Sequence, residues 1–165
     1  MSAALPSIIR EKHEGGPAEG SSVRLWLRLL SCTMAIEKDV QRRLAARGAT
    51  LPRFDVLAAL ERAPDGLTMG ALSRALLVSN GNVTGLVRKL GEDGLVAIET
   101  DPADRRSSIV RLTPAGAREF AALAERHTCW IDALFAGLPA DERDRLYAAL
   151  GALKVSIAQG TSRDT

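Results

Sequence analysis

The feature that most limits what this chain can fold into is a doubled helix-start signal followed by a hairpin signal, all within Leu67 to Leu112. Thr68 can cap a helix with its hydroxyl, and Leu67 and Leu72 stand at the two positions of a hydrophobic staple. The arrangement recurs with Ser79 as the cap and Val78 and Val83 as the staple, so one helix ends near Leu77 and the next begins at Asn80. Two helices with almost nothing between them must turn a tight corner. In the second helix Val83, Leu86, Val87 and Leu90 recur at i, i+3, i+4 and i+7, one apolar stripe to be buried. Asn80, Gly81, Thr84, Gly85 and Arg88 stand opposite. Small and amide-bearing side chains in the first turns, with cations further along, suit a helix that meets base edges in the major groove and phosphates beside it. Ser79, Asn80, Asn82, Thr84, Gly85, Arg88 and Lys89 are therefore candidate DNA contacts.

Gly94 is placed to end that helix; Leu95 to Thr100 reads as a strand, Asp101 to Ser107 as a polar loop and Ser108 to Leu112 as the returning strand. The loop, Asp101-Pro102-Ala103-Asp104-Arg105-Arg106, joins a turn-setting proline to two arginines suited to a narrow minor groove or its phosphates. Asp101 and Asp104 are near enough in sequence to orient those guanidiniums through paired hydrogen bonds. Asp104, Arg105 and Arg106 join the candidate DNA contacts. The bland alternative, a solvated loop whose arginines serve only solubility, describes most surface charges but not a tandem of capped helices ending in such a hairpin.

These residues resemble the MarR family of winged helix-turn-helix regulators. The match is carried by the loop just quoted and its continuation Arg111-Leu112-Thr113-Pro114-Ala115-Gly116, and by Leu51-Pro52-Arg53-Phe54-Asp55-Val56-Leu57-Ala58-Ala59-Leu60 with Asp65-Gly66-Leu67-Thr68 behind it. It covers about Val23 to Ile157. The resemblance implies a homodimer of triangular outline, joined through its N- and C-terminal helices, that binds palindromic double-stranded DNA and represses. It also implies release by a small molecule, here an aromatic acid or its coenzyme A thioester, held between the DNA-binding and dimerisation parts. One departure is Gly85, where many members carry a larger polar or basic residue.

The fold class expected is mainly α with a small β-hairpin wing. A single domain over 23–160 contains a winged helix-turn-helix at about 51–112 and dimerisation helices at about 23–47 and 114–158. Residues 1–22, with Pro6, Pro17 and several glycines, read as a tail, and 161–165 as a polar end. From Val23, the residues Leu25, Leu29, Cys32, Ile36, Val40 and Leu44 form a long apolar edge that Gly48 stops, and a partner subunit is a natural cover for it. Pro52 suits the first position of the helix Phe54 to Arg62, which Pro64, Asp65 and Gly66 end. Thr113 and Pro114 open a long helix lined by Phe120, Leu123, Ala124, His127, Ile131 and Leu134, broken at Gly137 and Pro139. The last helix, from about Ala140, spaces Leu146, Leu150, Leu153 and Ile157 in near-heptad fashion.

Composition argues little for nucleic acid by itself. There are 22 basic and 20 acidic residues in 165, and Leu67 to Leu112 carries a net charge of only +1, so attraction to DNA depends on where the cations stand. Cys32 and Cys129 form neither a metal cluster nor a disulfide framework, which fits a reducing cytoplasm, and no apolar run has the length of a membrane span. Cys32 on the apolar edge reads as a small buried hydrophobe before it reads as a redox sensor. Trp26, Arg28, Arg53 and His127 are candidates for contacting an effector, though each also fits a packing role. No catalytic motif, metal site or cofactor is expected, with His13 and His127 the only imidazoles. A second class stays open: an interaction module whose winged helix has lost DNA binding, motivated by Gly85 and the even charge. Within the first class, a thiol-based regulator using Cys32 is a variant.

Overall fold

The computed structural model describes residues 22–76, 80–101, 104 and 106–161. Along the chain these form α1 (Ser22–Ala45), α2 (Leu51–Glu61), β1 (Leu67–Thr68), α3 (Met69–Leu76), α4 (Asn80–Glu92), β2 (Val96–Thr100), β3 (Ser108–Leu112), α5 (Pro114–Phe135) and α6 (Ala140–Thr161). The mainly helical class with a small β wing is what the residues predicted. The chain divides into two compact units, with the boundary between Arg126 and His127 inside α5.

Three of the helices start on a threonine. The Thr50 hydroxyl accepts the Arg53 N–H at 3.4 Å, Thr68 accepts Ala71 at 3.2 Å and Thr113 accepts Gly116 at 3.1 Å, each satisfying a first-turn donor that has no partner within its helix. The expected Ser79 cap, with Val78, lies outside the described residues. At the other end of α4, Gly94 takes φ +72°. Its N–H reaches Gly91 O at 2.9 Å and that of Leu95 reaches Leu90 O at 2.9 Å, the paired bonds of a left-handed helix terminus.

The sheet has the antiparallel order β1-β3-β2. Val96 faces Leu112 and Thr100 faces Ser108 across the hairpin, while Leu67 and Thr68 pair with Val110 and Ile109. The hairpin was predicted and β1 was not. A two-residue strand has no periodicity to read, and the same Thr68 that caps α3 also pairs in the sheet. Val56, Leu57 and Leu60 of α2, Leu72 of α3, Val83, Val87 and Leu90 of α4, and Val96 and Val110 of the hairpin close one core. Full burial of such side chains contributes about 1.5–3 kcal/mol each.

Of the apolar edge on α1, Val40 and Leu44 are buried and Leu29 and Ile36 half-buried, but Cys32 is exposed and Leu25 is 57% exposed. Cys32 is therefore no core residue of this chain. On α5 Leu123 and Trp130 are buried and Phe120, Ala124, His127 and Ile131 are half-buried, whereas Leu134 is exposed, so the predicted edge ends at Ile131 and takes in Trp130, which the spacing had left out. Along α6, Leu146, Tyr147, Leu150 and Ile157 are all exposed. No helix among the described residues is long and apolar enough to cross a membrane.

Candidate nucleic-acid interface

The two sides of α4 are sharply divided. Val83, Val87 and Leu90 are at most 1% exposed, which fixes the helix's rotation about its axis. The opposite side then has to present Gly81, Thr84, Gly85 and Arg88, spaced i, i+3, i+4 and i+7, and all of them are exposed. A Cβ built on Gly81 or Gly85 would meet nothing within 4 Å. Neither glycine is needed by packing inside the chain. Arg88 pairs with Glu92 one turn along at 3.5 Å, and Lys89 is exposed beside it. Such exposed pairs are weak and are readily exchanged for a phosphate.

Asn82 is exposed at the edge of α4 and also lines a cleft of about 420 Å3. Pro52 and Asp55 of α2, Leu76 of α3, and Val83 and Leu86 of α4 line it too. This cleft was not foreseen, because its wall joins residues about thirty positions apart in sequence. None of Trp26, Arg28, Arg53 or His127 lines it. Trp26 and Arg28 are exposed on α1 and His127 is half-buried on α5. Arg53 is engaged within the fold: its guanidinium donates to Asp93 Oδ2 at 2.5 Å and lies 3.9 Å from Glu119 Oε1.

On the wing, Arg106 is exposed and its backbone N–H donates to Asp104 Oδ1 at 3.0 Å. The side chain of Asp104 thus closes the turn around the Arg106 backbone, where a pairing with the guanidinium was expected. Ser107 N–H to Asp104 O at 2.8 Å and Asp101 N–H to Ser107 O at 3.0 Å complete the turn. Arg111, opposite Ala97, reaches diagonally to Glu99 Oε2 at 2.6 Å and braces the hairpin. Ser79, Arg105 and the side chain of Asn80 lie outside the described residues.

The base of the wing explains why Leu112-Thr113-Pro114-Ala115-Gly116 is read as a unit. The Thr113 hydroxyl donates to Gly94 O at 2.7 Å, and its N–H donates to Leu95 O at 3.0 Å. At Gly116 a Cβ would lie 2.0 Å from Leu95 O. Only glycine lets α5 start this close to the end of α4.

This arrangement of α2, α3, α4 and hairpin defines a winged helix-turn-helix protein. A family model described as MarR family matches residues 47–107. The crystal structure of a MarR family transcriptional regulator from Silicibacter pomeroyi is 36% identical, with a TM-score of 0.70, and the match covers 82% of this chain and 94% of that one. The chain therefore belongs to the MarR family. The transcriptional activatory protein BadR of Rhodopseudomonas palustris is 38% identical over 104 residues, 62% of this chain and 59% of that protein. The chain thus covers less than two thirds of that relative's length. CouR from Rhodococcus jostii RHA1, solved with p-coumaroyl-CoA, shares the fold at 21% identity and a TM-score of 0.69, over 82% of this chain and 95% of that one.

Proposed function

We propose that this protein is a DNA-binding transcriptional regulator that grips an inverted-repeat operator as a homodimer. The observation that carries the reading is the exposed stripe Gly81, Thr84, Gly85 and Arg88, held outward by the buried Val83, Val87 and Leu90, with Arg106 exposed on the wing beside it. Each α4 enters a major groove, the two half-sites lying about 34–36 Å apart, and the wings flank them. The exposed apolar residues of α1 and α6 supply the dimer interface. Footprinting on the DNA upstream of the protein's own gene, at two salt concentrations, tests this. A protected two-fold site that weakens with salt is expected, and Arg106→Ala lowers the salt slope by about one phosphate contact per subunit. Salt-insensitive or absent binding to any duplex favours the interaction module instead.

Repression is the sign we assign, since a dimer on its operator excludes other proteins from the same DNA. BadR carries an activator's name. Deleting the gene decides: target transcripts rise under repression and fall under activation.

The effector is a small aromatic compound or its coenzyme A thioester, and the cleft between α2 and α4 receives its ring. Apolar Pro52, Leu76, Val83 and Leu86 suit an aryl group, and the Asp55 carboxylate suits a phenolic donor better than a second carboxylate. Because Val83 and Leu86 belong to α4, a ligand there acts on the DNA-contacting helix directly. The thioester p-coumaroyl-CoA, which CouR holds, is the first compound to titrate against the protein–operator complex. If neither it nor simple phenols release DNA, the effector assignment fails.

A further inference from the structure

Two charged side chains stand at helix ends where the backbone dipole opposes them. Arg53 is the third residue of α2, at its positive end, and Asp93 follows the last residue of α4, at its negative end. Neither placement favours its own helix. Each charge is answered by the other across the fold, Nη1 to Oδ2 at 2.5 Å, with Glu119 of α5 at 3.9 Å from the second arm. The Arg53 side chain is 18% exposed, and its Nε is buried with no hydrogen-bond partner among the described residues. The guanidinium is therefore kept where one donor goes unsatisfied, a cost of a kind that proteins rarely leave without purpose. What it holds is the residue immediately before Gly94, where the chain leaves α4 for the wing.

We propose that Arg53 is a positioning residue: with Asp93 and Glu119 it forms a latch that ties the C-terminal end of α4 to α2 and α5, and so sets the angle at which α4 meets DNA. The inference rests on the DNA-binding reading. The latch adds little to stability, because a partly exposed ion pair contributes little and removing the acid relieves the helix terminus. It adds to binding, because a small tilt at one end of a groove-bound helix displaces every contact along it.

The test uses the full-length protein and a duplex carrying the inverted repeat recovered by in vitro selection, with Arg53→Met, Asp93→Asn, both together, and Arg53→Lys. Each single change is expected to weaken binding about fivefold to thirtyfold, the range for coupled neighbours, with little change in melting temperature. The double variant should be no weaker than the weaker single one, and Arg53→Lys should recover most of the affinity. In the free protein, the Leu95 amide that donates to Leu90 O should exchange faster in Asp93→Asn and Arg53→Met. Wild-type affinity in the single variants, additive losses in the double, or affinity losses matched by equal losses of melting temperature overturn the latch. If the wild-type protein binds no duplex, the DNA-binding reading fails by itself, and the exchange rates alone decide: unchanged rates overturn the latch, faster rates support it.

Discussion

In the winged helix Leu57, Leu60, Leu72 and Leu90 are at most 2% exposed, while on α6 Leu146 and Leu150 are 40% and 37% exposed and Tyr147 is 83% exposed. The residue types are alike and the outcomes differ. In the winged helix, elements from α2 to β3 surround each leucine, so the apolar area is removed from water within one chain. On α6 a regular apolar spacing is present, but the chain leaves Leu146, Leu150 and Ile157 at the surface and only half-buries Leu153. An amphipathic pattern therefore states that a face wants cover, and says nothing about whether the cover is intramolecular. Under the homodimer proposed above, the first region folds within one protomer and the second is completed by another copy.

Several substitutions sharpen or break this contrast. Leu57→Ala should cost about 2–5 kcal/mol in denaturant unfolding, at any protein concentration, because it opens a void in a closed core. Gly116→Ala should follow at about 1–3 kcal/mol or more, since the new methyl meets the Leu95 carbonyl and one backbone segment has to move. Normal stability there would mean that α5 does not start against the end of α4. Leu150→Ala should cost about 1 kcal/mol per copy, and its effect on the melting temperature should vanish on dilution below the dimer's dissociation constant. An effect independent of concentration would mean that α6 is covered within its own chain.

Smaller effects probe the DNA-facing side. Gly85→Ala should raise stability by about 1 kcal/mol, because alanine is the better helix former and its methyl meets nothing. A lower melting temperature would show that Gly85 has a packing duty in the fold. The smallest effect is in acid. A hydrogen bond from Arg43 holds Asp39, and one from Arg53 holds Asp93, below the ordinary aspartate value. A depressed folded value stabilises the fold above the unfolded pKa, near 4, and the contribution is lost as pH falls through the folded value. Melting temperature should therefore drop below about pH 4, and Asp93→Asn should flatten part of that drop. Equal acid slopes in the two proteins would remove Asp93 from this set.

Legible in the residues alone is what depends on neighbours a few positions apart: the caps at Thr68 and Thr113, the stripe of Val83, Val87 and Leu90, the Gly94 terminus and the two strands of the hairpin, though not their register. These are short-range because a hydroxyl reaches an N–H three residues on and a helix returns to the same face within four. The outward stripe of α4, and with it half of the candidate interface, follows from the same periodicity. What depends on distant partners is fixed only once the chain has closed on itself. Arg53 meets Asp93 forty residues away. The cleft draws on three separate helices, β1 exists only because β3 lies beside it, and the exposure of Cys32 and Leu134 depends on which elements pack over their helices. Local chemistry sets which faces and ends a chain offers, and only closure of the fold sets which of them meet, because distant contacts are chosen jointly by the whole packed core.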